Sequence, residues 1–230
     1  MISAAVVGLW LGAYLAASIP FGLIVARAKG VDVRAVGSGN IGATNVGRAL
    51  GRPWGILVLL LDAAKGFVPM IAARAATDRW PDSVPDWGPA AANLVLLGTG
   101  LACGIGAVAP VFAGFRGGKA VAASLGIVLG VSELRVPALA ALAVFVLVRG
   151  ASGYVSLGSI VAAAALPAAF LIRLTLRGPA LAEGYPLLIL CVGLAGLVVA
   201  RHRDNIARLR RGTEGASAPG PNTIPPPGAR

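Results

Sequence analysis

Acidic charge is what this chain has least of. Nine Asp and Glu stand against twenty Lys and Arg in 230 residues, and only 13% of all residues are charged. A soluble domain carries about a quarter, so the composition excludes an ordinary soluble globular protein. Histidine occurs once, at position 202, which excludes a multi-histidine metal centre. The two cysteines, Cys103 and Cys191, lie far apart inside apolar runs. They offer neither a disulfide framework nor metal-ligand spacing, and they read as small buried residues. Ten-residue segments of alternating apolar and polar character are absent, which excludes a transmembrane β-barrel. No Lys or Arg precedes the first apolar run, so it reads as an uncleaved span rather than a secretory leader. No internal repeat is visible.

What the chain does have is apolar length. Hydrophobic residues make up 57% of it, and several runs approach the ~20 residues needed to cross a bilayer. The expected fold is all-α: a polytopic integral membrane protein. Spans are expected over residues 3–26, 54–75, 90–113, 154–172 and 185–200. The apolar pieces 120–132 and 137–148 are each only about 13 residues, divided by Glu133, Arg135 and Pro137. They form two short spans or a re-entrant hairpin, and either returns the chain to the same side. One continuous span there would hold a proline and two charges at its centre. Residues 1–214 are expected to form one membrane-embedded unit, and 215–230 a disordered, Pro/Gly-rich cytoplasmic tail.

The net charge of +11 invites a nucleic-acid reading, but its distribution answers otherwise. With seven crossings, fourteen Lys and Arg fall on the side of the first loop and the tail, and five on the other; Lys65 is inside a span. That asymmetry is the positive-inside bias, with the N-terminus outside and the C-terminus cytoplasmic. No nucleic acid is implied.

Three polar islands share that cytoplasmic side. The first runs from Gly37 to Arg48, with hydroxyls at Ser38 and Thr44, carboxamides at Asn40 and Asn45, a guanidinium at Arg48 and four glycines. Closely spaced glycines turn amides toward an anion. Gly37, Gly39 and Gly42 match G-x-G-x-x-G, yet a dinucleotide fold needs a preceding strand, and here a membrane span precedes. If the segment from Ala43 is helical, Asn45 and Arg48 face one ligand. The second island, Gly114 to Lys119, fails the Walker A spacing, and Ala120 stands where a magnesium-binding hydroxyl belongs. What remains is Arg116 and Lys119 around Gly117 and Gly118 at a helix start: a phosphate seat, or plain positive-inside anchoring. The third island starts at Arg201 and places His202, Asn205 and Arg208 at helical spacing. A lone histidine beside arginines is more often a solvated interface residue. Asp62 and Lys65, at i, i+3, read as a buried structural ion pair ahead of a catalytic one. Ser156 and Ser159 open the sixth span, where serines usually bond helix backbone. No serine–histidine–carboxylate constellation is evident.

Taken together, the islands resemble the bacterial acyl-phosphate:glycerol-3-phosphate acyltransferase family, PlsY. The family pattern G-S-x-N-x-G-A-T-N-x-x-R runs unbroken from Gly37 to Arg48. F-[K/R]-G-G-K-x-V-A is met from Phe115 to Ala122, and R-H-x-x-N-I-x-R-L-x-x-G-x-E from Arg201 to Glu214. L-D-x-x-K-G around Asp62 and Y-V-S-L-x-S-I around Ser156 are similar as well, so the resemblance spans residues 3–214. One departure stands out: Ala107 occupies the place of the family's usual histidine, and Ala109 that of an aromatic. The resemblance implies transfer of a fatty acyl group from acyl phosphate to the 1-hydroxyl of sn-glycerol 3-phosphate. The products are lysophosphatidic acid and inorganic phosphate, and no cofactor or metal is used. It implies an inner-membrane enzyme among lipids, between an acyl-phosphate-producing enzyme and a lysophosphatidate acyltransferase. Ser38, Arg48, Lys119, His202 and Asn205 are the expected catalytic residues. Asn40, Thr44, Asn45, Arg116, Gly117, Gly118, Ser156 and Arg208 are the expected substrate-binding ones. Lys119 and Arg116, with the Gly117 and Gly118 amides, would bind one phosphate. The first island would orient the other phosphate and the reacting carbonyl. Ser156, His202 and Asn205 would hold the glycerol hydroxyls. Because no carboxylate lies in the polar cores, a substrate phosphate oxygen is the expected proton acceptor, with His202 as the alternative base. The rival reading is a membrane anion transporter, which would place its polar residues at mid-membrane.

Overall fold

A computed structural model describes residues 3–177 and 181–215. The first apolar run is not one helix. Pro20 has no N–H to continue the ladder, and the run divides into α1 (Ala4–Ala17) and α2 (Phe21–Ala28). Pro20 sits at φ −90°, ψ 70°, and the Phe21 N–H donates to the Ile19 carbonyl at 3.1 Å. That is an inverse γ-turn. α2 ends where Gly30 takes φ +70°: its N–H donates to Arg27 O and the Val31 N–H to Ala26 O. This double closure is a Schellman turn, and it launches the first island toward α3 (Ala43–Leu50).

The remaining helices are α4 (Arg52–Arg79), α5 (Ala91–Val108), α6 (Val121–Leu129), α7 (Arg135–Ser152), α8 (Val155–Arg177), α9 (Leu181–Arg201) and α10 (Arg203–Arg210). No strand occurs among the described residues. Six helical segments are long and apolar enough to cross a membrane: α1 with α2, α4, α5, α7, α8 and α9. The expectation of an all-α integral membrane protein stands on these. The two short apolar pieces prove unequal. The first is the nine-residue α6, whereas the second grows to a span of 21 residues, Ser132–Ser152. Pro137 falls in the first turn of α7, where its missing N–H costs nothing, and Glu133 is paired with Arg74 of α4. The tail expected to be disordered lies, from residue 216 on, outside the described residues.

Contacts fix the helix directions. Trp10 Nε1 donates to Val95 O and the Tyr14 hydroxyl to Ala109 O, so α1 and α5 run the same way. Gly100 faces Leu190 and Gly104 faces Leu194, so α9 runs with them. α6 runs with α4, since Gly66 lies on Ala123 and Gly130 on Met70. The α4–α6 crossing is backbone to backbone: a Cβ at Gly126 would lie 1.9 Å from Ala63 O. Small residues at such crossings let helices approach where no hydrophobic drive exists between them. Leu96, Ile127, Phe170, Leu190 and Leu194 fill the centre. The first loop, the α5–α6 loop, the start of α8 and α10 all gather at one end.

Candidate active site

The α5–α6 loop is shaped by the need to finish α5. A helix leaves its last carbonyls without partners, and here the Gly117 N–H donates to Val108 O and the Gly118 N–H to Ala107 O, each at 3.2 Å. Only glycine fits at 117, where a Cβ would lie 2.5 Å from Ala107 O. Arg201 ties the loop to the end of α9 by donating to the Gly117 and Gly118 carbonyls, at 3.3 and 3.2 Å. Arg34 holds its other side through Ala113 O and Arg116 O, at 3.2 and 3.0 Å. This corrects the expected task of the two glycines. Their amides cap α5 and are not aimed at a ligand; the pair shapes the turn that delivers Lys119.

Lys119 is half-buried, and its Nζ donates to Asn205 Oδ1 at 2.6 Å. Asn205, 6% exposed, passes the contact on: its Nδ2 donates to Glu214 Oε1 at 2.6 Å. The Ser156 hydroxyl donates to the same oxygen at 2.7 Å, and Arg208 Nε donates to Oε2 at 2.7 Å. Glu214 reaches this position by a second Schellman turn: with Gly212 at φ +67°, the Gly212 N–H donates to Leu209 O and the Thr213 N–H to Arg208 O. The expectation that no carboxylate lies in the polar core is therefore overturned. The sequence signal was the glycine two residues before the last acid of the third island. Burial raises the Glu214 pKa, but hydrogen bonds from Asn205, Ser156 and Arg208, and the Arg208 charge, outweigh it and hold the group below its ordinary range.

His202 is 2% exposed and sits at the junction of α9 and α10. Its Nδ1 lies 2.7 Å from Val198 O. A carbonyl only accepts, so Nδ1 carries a hydrogen and Nε2 is the ring's acceptor when neutral. Burial lowers the His202 pKa, helped by the Lys119 charge and opposed by the Val198 bond and Glu214, which favours that neutral form. Burial likewise lowers the Lys119 pKa; Arg208 and Arg48 push the same way, while Glu214 and Asp204 oppose.

The first island adjoins this cluster. Asn40 Oδ1 accepts from the Gly42 N–H at 2.8 Å and lies against Gly118. Ser38, Thr44, Arg48 and Arg116 are exposed at the rim. Asn45 does not face outward with Arg48. It is 2% exposed, its Nδ2 donates to Val33 O and Val36 O, and its Oδ1 accepts from the Ser38 N–H. It clamps the loop that presents Ser38. Ala107 is buried against Ala120 and Ala123. Among the described residues no cluster of three His, Cys, Asp or Glu could hold a metal ion. The result is a cationic, hydrogen-bonded cluster at one end of a membrane bundle.

The glycerol-3-phosphate acyltransferase family model matches residues 7–212. A glycerol-3-phosphate acyltransferase of Geobacter sulfurreducens is 47% identical over 205 residues, covering 88% of this chain and 92% of the relative. That of Geotalea daltonii is 50% identical, covering 89% and 93%. Two crystal structures of PlsY (YgiH), an integral membrane glycerol 3-phosphate acyltransferase, superpose with TM-scores of 0.77 and 0.75. The first is the glycerol 3-phosphate form, 41% identical, covering 93% of this chain and 96% of that one. The second is the lysophosphatidic acid form, 40% identical, covering 93% and 95%. The chain belongs to the glycerol-3-phosphate acyltransferase family.

Proposed function

We propose that this protein transfers a fatty acyl group from an acyl phosphate to the 1-hydroxyl of sn-glycerol 3-phosphate, releasing lysophosphatidic acid and inorganic phosphate. The hydroxyl oxygen attacks the acyl carbonyl, the bond to the phosphate oxygen breaks, and phosphate leaves with that electron pair. One observation carries the reading: a half-buried cation, a buried histidine and a hydrogen-bonded carboxamide from two islands cluster together, with the first, guanidinium-bearing island adjoining them. Both substrates are phosphates, and a mixed anhydride needs little activation, so positioning and anion stabilisation can supply much of the rate.

Lys119 and Arg116 bind one phosphate. Ser38, Asn40, Thr44 and Arg48 orient the other and the carbonyl, while Asn45 holds their loop in shape. Ser156, His202 and Asn205 meet the glycerol hydroxyls, and Arg208 keeps Glu214 in place. Glu214 is a poor base, because three donors and a depressed pKa hold it ionised. The proton passes to a substrate phosphate oxygen or to His202 Nε2. We read seven crossings, with the N-terminus outside and the cluster facing the cytoplasm of an inner membrane. There it lies between an enzyme that makes acyl phosphate and one that acylates lysophosphatidate. Palmitoyl phosphate with glycerol 3-phosphate is expected to give lysophosphatidic acid, and palmitoyl-CoA none. Arg48→Ala and Lys119→Ala, folded in detergent, are each expected to lose at least ~100-fold in kcat/KM. Near-normal transfer by both, or phosphate flux in liposomes without product, would defeat the reading.

A further inference from the structure

The ion pair within α4 is used by no step of that reaction. Lys65 Nζ and Asp62 Oδ1 lie 2.8 Å apart, with the side chains only 9% and 16% exposed. Ions are expensive inside a span, and a buried pair is often no more stable than apolar residues of the same volume. The pair therefore needs a task that apolar side chains could not do. Lys65 has one: its Nζ also donates to Ile19 O at 3.3 Å. That carbonyl is the acceptor of the γ-turn at Pro20, the hinge between α1 and α2. α2 must leave the hinge along one line, because Gly22 rests on the first island. A Cβ there would lie 1.7 Å from Ile41 O. Leu23 and Ala26 of α2 share an apolar cluster with Ile41 and Val46. Contacts thus run unbroken from Lys65 through the hinge to the loop carrying Ser38 and to α3, which carries Arg48.

We propose that Asp62 and Lys65 are positioning residues: by clasping the Ile19 carbonyl they set the angle of the Pro20 hinge and so the placement of Ser38, Thr44 and Arg48 over the acyl donor. Asp62 pairs with the ammonium and aims it; Lys65 makes the clasp. The proposal rests on the acyl-phosphate reaction argued above.

The test uses the full chain in detergent, with palmitoyl phosphate and glycerol 3-phosphate varied separately. The informative variant is the double Asp62→Asn/Lys65→Met, which leaves no charge stranded and keeps the fold testable. It is expected to melt close to the parent. Its kcat should fall about tenfold and its KM for palmitoyl phosphate should rise, with KM for glycerol 3-phosphate within about twofold. Amide exchange over 33–46 should quicken while the spans stay protected. Lys65→Arg, which keeps charge and donors, should recover part of the rate. Parental kcat and KM values in the double variant overturn the proposal, as does a loss of active fraction with both KM values unchanged. If the parent makes no product from palmitoyl phosphate, the reaction assignment fails instead. Unchanged exchange over 33–46 in the double variant then overturns the positioning role independently.

Discussion

Glu214 shows what residue types alone conceal. It closes the third family motif, yet its residue type gives it no task there, and it joins the cluster only because Gly212 closes α10 and reverses the chain. By contrast Lys119, His202, Asn205 and Arg48 were singled out through the family motifs, since spacing alone left anchoring and a solvated interface open, and the structure bonds Lys119 to Asn205. Asn45, Gly117 and Gly118 were legible as belonging to the site but not by task, because which main-chain atoms they meet depends on the loop's path. Removing the Glu214 carboxylate strands the donors of Asn205, Ser156 and Arg208. Glu214→Ala is expected to cost about 1–3 kcal/mol of stability and at least ~10-fold in kcat by releasing Asn205 from Lys119. The folded pKa lies below the ordinary 4.5, so the carboxylate's contribution is complete above pH 4.5 and is lost as pH falls through the folded value. Melting temperature should therefore drop on acidification below pH 4.5 in the parent, and less in Glu214→Gln. Equal drops in both would show that the carboxylate makes no such contribution.

Among the elements, the break in the first span and the shortness of α6 were the least legible. Pro20 was visible, but an apolar window averages over it, and only the γ-turn and the Lys65 clasp show that the break is sharp. α6 begins at Val121, after Ala120 takes φ +59°, directly behind the loop that caps α5 and carries Lys119. Its seat on α4 is made by Gly66 and Gly126, where each backbone occupies the place of the other's missing Cβ. The helix that follows the cation is thus held by two hydrogens where side chains would be. Gly126→Ala puts a methyl about where the Ala63 carbonyl oxygen now lies, so α4 and α6 must separate. The expected result is a loss of about 1–3 kcal/mol together with a lower kcat, because Lys119 moves with α6. Gly150→Ala, at a glycine with nothing near its Cβ position, is the control and should match the parent. If Gly126→Ala also melts and turns over like the parent, the crossing does not set the cation's position.

Across the whole molecule, the count of crossings turns on α6. By length six segments qualify, and the proposed seventh rests on the direction of travel. α6 starts beside the cluster, runs with α4, and ends where Glu133 meets Arg74, near the far end of α4. α7 then begins at that far end and returns. The basic residues agree with the odd count: fourteen against five only if the tail and the first loop share a side. Two exposed positions separate the models, since Asp82 follows α4 and Arg210 ends α10. Five crossings between them put them on opposite sides, and four put them on one. The native Cys103 and Cys191 are fully buried and give little background. In intact cells, an impermeant maleimide is expected to label Asp82→Cys at once and Arg210→Cys only after permeabilisation. Labelling of both from outside would remove the seventh crossing. Labelling of Arg210→Cys alone would invert the molecule and turn the cluster away from any cytoplasmic substrate.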